Sequence, residues 1–449
     1  MIKNEEDFSK SKELFWQLSK PLMVLSLFQA SYSFIDVFWI SKMNPESFFA
    51  ISVVLPLFSL ITSFGASLGV GTNSIIAREI GEGAQKEAYN SILHGVVACF
   101  ILGVIIMLST LFIKNILILM NATSEMDLST QYLTPILLCS HVFLFSNLFQ
   151  STMQAEGNSK TPTILLILTN ILNLILDPIF IFIFNWGVSG AAYATILSSA
   201  IATIYLLYCY LSGKTQIALN FKYFKPGIVY DIFLVAIPNF LINCLSCGIL
   251  LFYNKILIQQ LGQIGVLLYS TATGIQNLII SPQNAFRISL ITVSGQLFGA
   301  NKFDEINEIY HYVLKYSFSI AVISTIAFFF IRDYGFALFS VTGVETSVFY
   351  IALAGIIINP FLSMLSMTMK MLDGMGKTYH SLFLMICMFV FNVLLTLILA
   401  PIFPSGGCVL IDIVIGDIVF AIIFYILFED IIRKKGKEGF HAHFKKLSD

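Results

Sequence analysis

Two carboxylates lie where a carboxylate is expensive. Asp36 sits in the apolar run QASYSFIDVFW and Asp177 in TNILNLILDPIF. Gln29 and Tyr32 precede Asp36 at i−7 and i−4, and Asn173 precedes Asp177 at i−4, so each set shares one face of a helix. Pro178 follows Asp177 directly and frees a backbone carbonyl that can act as a ligand. An ionisable group inside an apolar span is a functional site by default. Asp36, Asn173 and Asp177 would together make an oxygen-lined site. Such oxygens suit Na⁺, and two close carboxylates equally suit protons, because in low dielectric they titrate as a pair. The alternative for Asp36 is that it reaches the interface three residues away, at Trp39; for Asp177, that it is a helix-end acid.

The second half of the chain holds Asp412 and Asp417 in CVLIDIVIGDIVF. Five residues place them about 140° apart around a helix, so they do not pair on one face, and functional and structural readings stand level. Tyr132, Asn147 and Gln150 can line a cavity or serve as interhelical hydrogen-bonding groups. No GxxxxGK[ST] or HExxH occurs, and the six His are scattered. Covalent catalysis and direct ATP drive are therefore not expected. Of the seven Cys only Cys244 and Cys247 form a CxxC, one turn apart on an apolar helix, which reads as packing rather than a metal site.

These residues need a membrane to be where they are. Of 449 residues 57% are hydrophobic and 11% charged, against about 25% charged in a soluble domain. The formal charge of −1 gives no polyanionic partner a handle. A ruler of about 20 apolar residues per crossing places twelve spans near 15–40, 48–72, 91–113, 131–151, 162–184, 188–212, 231–257, 265–290, 311–331, 347–368, 379–401 and 408–430. Trp16 and Trp39 bracket the first at about 34 Å. With both termini on one side, only Lys42, Lys114, Lys255 and Arg332 of the 25 bases fall on the other. The positive-inside rule makes the larger set cytoplasmic. The N-terminal MIKNEEDFSKSKELFW does not read as a removable signal, so the first span should act as the insertion signal.

The chain also repeats itself. EGNSKT at 156–161 matches DGMGKT at 373–378, and Pro21 matches Pro238, both at an offset of 217; GEG at 81–83 matches GAN at 299–301 at 218. Six spans per repeat give two lobes of like orientation. The expected organisation is an amino-terminal six-helix lobe at 1–213, a cytoplasmic linker at 214–230, a carboxy-terminal lobe at 231–432 and a basic cytoplasmic tail at 433–449.

Five stretches carry a family likeness: YSFIDVFWISKM at 32–43, the run from Gly69 through IIAREIGEG, MQAEGNSKTPT at 153–163, NLILDPIFIFIFNWGVSGAAYAT at 173–195 and GQLFGANK at 295–302. Together they resemble the multidrug and toxic compound extrusion (MATE) transporters over nearly the whole chain. The acid in the first span and the Asn–Asp pair in the fifth resemble the DinF-like branch. The NorM-like branch carries acids in its second lobe, where the seventh span here reads SCGILLFYNKIL. The resemblance implies an all-α membrane protein of twelve helices in two pseudo-symmetric lobes. It implies Asp36, Asn173, Asp177 and Thr195 as cation ligands or proton carriers. Gln29, Tyr32, Tyr132, Asn147 and Gln150 would lie around the same cavity, with Pro21 at the bend of the first helix. The implied activity is export of small amphipathic organic compounds, as an antiporter driven by H⁺ or Na⁺. The expected setting is the plasma membrane of a prokaryote, as a monomer with no resident cofactor and no nucleic-acid partner. Rival readings are a lipid-linked precursor flippase of the same superfamily and a channel.

Overall fold

The computed structural model describes residues 2–41, 43, 45–119, 126–215, 226–261, 263–338, 359–403 and 407–434. Among these, helices account for the regular structure and no strand occurs. In chain order they are α1 (Ile2–Ser41), α2 (Pro45–Gly81), α3 (Gln85–Leu108), α4 (Ile113–Leu119), α5 (Met126–Leu138), α6 (Ser140–Ala155), α7 (Lys160–Pro178), α8 (Gly187–Leu211), α9 (Pro226–Leu261), α10 (Gln263–Gly299), α11 (Phe303–Leu338), α12 (Asn359–Gly374), α13 (Thr378–Leu399) and α14 (Gly407–Arg433).

The twelve expected spans each have a helical counterpart. Seven helices among the described residues are long and apolar enough to cross a bilayer: α2, α3, α7, α8, α9, α13 and α14. The fourth span, expected as one rod over 131–151, is instead the pair α5–α6, bent by 50°. The bend falls at Cys139, whose φ −98° and ψ 16° leave the helical region one turn after Pro135. The remaining spans are α1, α10, α11 and the tenth, described from Asn359 onward.

The faces of these helices are patterned as a hydrocarbon surrounding requires. On α7 the exposed apolar positions are Ile164, Leu168, Ile171 and Ile175, while Thr163, Thr169, Asn173 and Asp177 are buried. This inverts the soluble pattern. An apolar outer face costs nothing in hydrocarbon, whereas polar groups must find partners inside.

The contacts gather the chain into two compact units, Lys20–Phe240 and Met1–Ser19 with Leu241–Asp449. Their boundaries differ from the linker at 214–230 drawn from the sequence. They fall inside α1 and α9, beside Pro21 and Pro238, so each of these helices divides its length between the units. In the second unit the first half of α1 is held by Ser19 Oγ, which donates to Ser289 Oγ at 2.9 Å, and by Trp16 Nε1, which donates to the Tyr312 hydroxyl at 3.0 Å. Trp16 also meets Phe286 edge-on. It is thus a packing residue of this unit.

In the first unit α2 is the central rod. Gly65 and Gly69 let it approach α6: a Cβ at Gly69 would stand 2.9 Å from Ser151 Cβ and 3.1 Å from the Asn147 carbonyl oxygen. A small-xxx-small pair of this kind brings backbones close where hydrophobic driving force between helices is lacking. On its other side α2 receives the first half of α9, with Ser67 Oγ donating to Asn239 Oδ1 at 3.2 Å and Phe64 stacked on Phe240.

Candidate functional site

Helix α7 carries Thr169, Asn173 and Asp177 at spacings of four, so one buried polar stripe ends in the carboxylate. Asn173 Nδ2 donates to Asp177 Oδ1 at 3.2 Å, and both residues are buried, at 3% and 2% exposed. The amide can give a proton and keep its own oxygen as an acceptor, so the pair still offers several oxygens to a cation.

The chain leaves α7 through a widened turn, Ile179–Ile183, of the π type. Phe184 N–H donates to Ile179 O at 2.9 Å and Trp186 N–H to Phe180 O at 3.1 Å. Pro178 cannot donate to the preceding turn, and π turns recur at functional sites. Gly190 on α8 fits against this turn because it has no side chain: a Cβ there would lie 2.7 Å from both the carbonyl carbon and the oxygen of Phe180. Helix α8 therefore seats directly on the backbone just past Asp177. Thr195, five residues farther along, is half-buried and donates its hydroxyl to Ala191 O at 3.1 Å. That bond uses the hydroxyl hydrogen and leaves oxygen lone pairs for a ligand.

The side chains of Tyr32 and Asp36 lie outside those described. Their helix does not. Trp39, one turn beyond Asp36 on α1, has its ring centroid 6.4 Å from that of Phe182 in the π turn. Asp36 precedes this contact by three residues and Asp177 precedes it by five, so the two acids occupy neighbouring helices within about a turn or two of one contact.

The other sequence candidates are scattered around this core. Tyr132 on α5 is buried in the apolar cluster that also contains Ile181, Val188 and Ala191. Asn147 Nδ2 donates to Phe143 O at 2.9 Å and the residue lies against Gly65, at the α2–α6 contact. Gln150 Nε2 donates to Ser146 Oγ at 2.9 Å within α6. Gln29 is exposed on α1, and Pro21 lies half-buried inside that helix, which runs through it unbroken. Sequence reasoning found the Asn–Asp pair but missed the π turn. The signal available for it was Pro178 immediately after the acid, followed by a Gly that accepts close backbone.

A sequence model of the MatE family matches residues 21–179 and 238–398. The matched stretches begin at Pro21 and Pro238, which are the repeat's own landmarks. The multidrug export protein MepA of Staphylococcus aureus (strain NCTC 8325 / PS 47) is 28% identical over 235 residues, 51% of each chain; the chain spans about half the length of the curated relatives it matches. Crystal structures of a MATE protein match over nearly everything. In its bent conformation the TM-score is 0.88 at 28% identity, covering 96% of this chain and 97% of that one. In its straight conformation the TM-score is 0.87 at 27% identity, covering 95% and 97%. Seven helices apolar and long enough to cross a bilayer among the described residues, and a family match over both halves, lead to one conclusion: the chain belongs to the MatE family of membrane transporters.

Proposed function

We propose that this protein is a secondary exporter of small amphipathic organic compounds, driven by inward movement of H⁺ or Na⁺ through a site built from Asp36, Asn173, Asp177 and Thr195. The observation that carries the reading is the buried Asn173–Asp177 pair at the end of α7, with Trp39 of α1 against the turn that follows it. The export activity is supported by likeness to the S. aureus multidrug export protein. The cation is cargo, and no resident cofactor enters the scheme.

Coupling runs through α1. This helix holds both Asp36 and Pro21, and it changes compact unit beside Pro21. Cation binding near Asp36 then favours one curvature of the helix at the proline, and cation release favours the other; relatives are known in bent and straight conformations. One charge moved across 100 mV supplies about 2.3 kcal/mol. That sustains roughly a fifty-fold substrate gradient at perfect coupling. The distribution of Lys and Arg assigns both termini to the cytoplasm, and the setting is the plasma membrane of a prokaryote, with the monomer as the working unit.

Efflux of a cationic dye from proteoliposomes, under an imposed pH gradient or an imposed sodium gradient, tests the scheme. Wild type responds to one of them, and Asp36→Asn and Asp177→Asn each abolish the response. Full gradient-driven efflux in both variants would overturn it.

A further inference from the structure

The second repeat holds a buried carboxylate that the scheme above leaves unused. Asp412 on α14 is fully shielded. Its Oδ2 accepts hydrogen bonds from the Tyr253 hydroxyl of α9 at 2.7 Å and from Thr396 Oγ1 of α13 at 2.8 Å. Its Oδ1 is buried with no hydrogen-bond partner among the described residues. Asn392, one turn before Thr396 on the same face of α13, is 2% exposed, and its Oδ1 likewise has none. The Asn392 amide is directed at α14. It occupies the space that a Cβ at Gly416 would need, one turn on from Asp412.

Three helices thus bring an electron-rich set within one helical turn: two oxygens with no hydrogen-bond partner among the described residues, and two hydroxyls that donate to the carboxylate. An ionised carboxylate in a dry interior is costly unless its remaining oxygen meets a positive partner. Among the described residues, the titratable groups nearest to it supply none. Lys255, two residues past Tyr253, is exposed on α9. Asp417 and Cys408 are the other titratable groups near it on α14, and Cys408 is bonded to Gln260 Oε1. His380 stands toward the opposite end of α13, and Cys387 near its middle. On α12, Lys370 is paired with Asp373 at 2.8 Å. On α11, His311 faces Tyr425 and Glu429 near the far end of α14.

The repeat gives this cluster a meaning. An offset of 217 carries Asp36 onto Tyr253, and Gly190 and Thr195 onto Gly407 and Asp412. Helix α13 follows α7 at 219, because that shift superposes their buried faces: Pro162, Thr169, Asn173 and Asp177 fall on Ser381, Met388, Asn392 and Thr396. All four positions of the amino-terminal constellation therefore recur as Tyr253, Asn392, Thr396 and Asp412. The oxygens are kept while the carboxylate has moved from the fifth-span position to the last helix.

We propose that Tyr253, Asn392, Thr396 and Asp412 form a second site for a hard monovalent cation, H⁺ or Na⁺, related by the internal repeat to the amino-terminal one. The proposal stands on the geometry of the second unit and does not require Asp36 or Asp177 to couple transport.

The test uses the full chain in lipid nanodiscs, with binding rather than transport as readout. Radioactive sodium binding reports Na⁺, and infrared difference spectroscopy on changing pH reports a carboxyl group gaining its proton. In an Asp36→Asn/Asp177→Asn background, one of the two signals persists and disappears when Asp412→Asn is added; the signal that persists identifies the ion. Tyr253→Phe is nearly isosteric and guards against a folding artefact. It removes one hydroxyl donor to a charged group, so the midpoint of the surviving signal shifts by about tenfold. Gly416→Ala, which pushes on the Asn392 amide, weakens it as well. Absence of both signals from the double variant, or a signal unmoved by Asp412→Asn and Tyr253→Phe, would overturn the second site and leave the amino-terminal one untouched.

Discussion

Asn173 holds Asp177 from one turn away on the same helix, Nδ2 to Oδ1 at 3.2 Å, with both side chains shielded from the surroundings. A carboxylate so placed has its orientation fixed before any cation arrives, which lowers the ordering cost of binding. Removing the donor leaves a buried acceptor short of a partner, at a cost of about 1–3 kcal/mol. Asn173→Ala should therefore shift the half-saturating cation concentration by about tenfold or more, upward for Na⁺, which loses an oxygen ligand and a fixed carboxylate, and downward for H⁺, which the less stabilised carboxylate attracts, while maximal efflux at saturating cation is kept. A cation titration of dye efflux in proteoliposomes measures this, and an unchanged half-saturating concentration would refute the role given to Asn173.

Gly190 meets the backbone of Phe180, not a flexible side chain. Nothing there can rotate aside, so Gly190→Ala must push α8 off the π turn or deform the turn itself. Overpacking of this kind costs about 1–3 kcal/mol. The strain falls next to Asp177, so cation affinity should drop along with thermal stability. By contrast Gly187→Ala, in open space at φ 53°, should lower stability through backbone strain alone and leave affinity unchanged. Equal affinity losses in the two variants would contradict this placement of the site.

The contrast between Asn173 and the π turn shows what the sequence could reveal. Helix spacing is periodic, so a polar stripe in an apolar helix announces itself, and Asn173–Asp177 could be read directly. A π turn leaves no period, only a proline after an acid. The twelve spans were readable because apolar length is set by bilayer thickness; the 50° break at Cys139 was not, since α5–α6 has the composition of one unbroken rod. The assignment of half of α1 and half of α9 to opposite compact units was equally hidden. Contacts such as Ser19 with Ser289 join residues 270 positions apart, and local patterning carries no record of them. Asp412 was visible, but its partners Tyr253 and Thr396 come from two other helices.

Pro21 interrupts the hydrogen-bond ladder of α1 without breaking the helix. Pro21→Ala restores a donor and removes a steric clash, worth about 3 kcal/mol in a helix interior. If α1 must change curvature during the cycle, that stiffening should slow turnover severalfold while cation binding and thermal stability are held or improved. Parallel measurement of efflux rate and sodium or proton binding separates the two. Loss of binding together with turnover would assign Pro21 a local structural role instead.

Gly69 offers a test of packing that is independent of transport. A Cβ there would collide with Ser151 Cβ at 2.9 Å and approach the Asn147 carbonyl oxygen at 3.1 Å. Ser151 cannot easily withdraw, because its own carbonyl accepts a bond from Asn73 Nδ2 at 2.9 Å. Gly69→Ala should thus destabilise the α2–α6 contact by about 1–3 kcal/mol. Ser151→Gly removes the nearer of the two obstacles, so the double variant should recover part of the loss, a coupling of about 0.5–3 kcal/mol in a double-mutant cycle. Recovery should be incomplete, since the Asn147 carbonyl belongs to the backbone and stays in place. Thermal unfolding in detergent gives all four corners of the cycle, and simple additivity would mean that the two helices are not held together at this point.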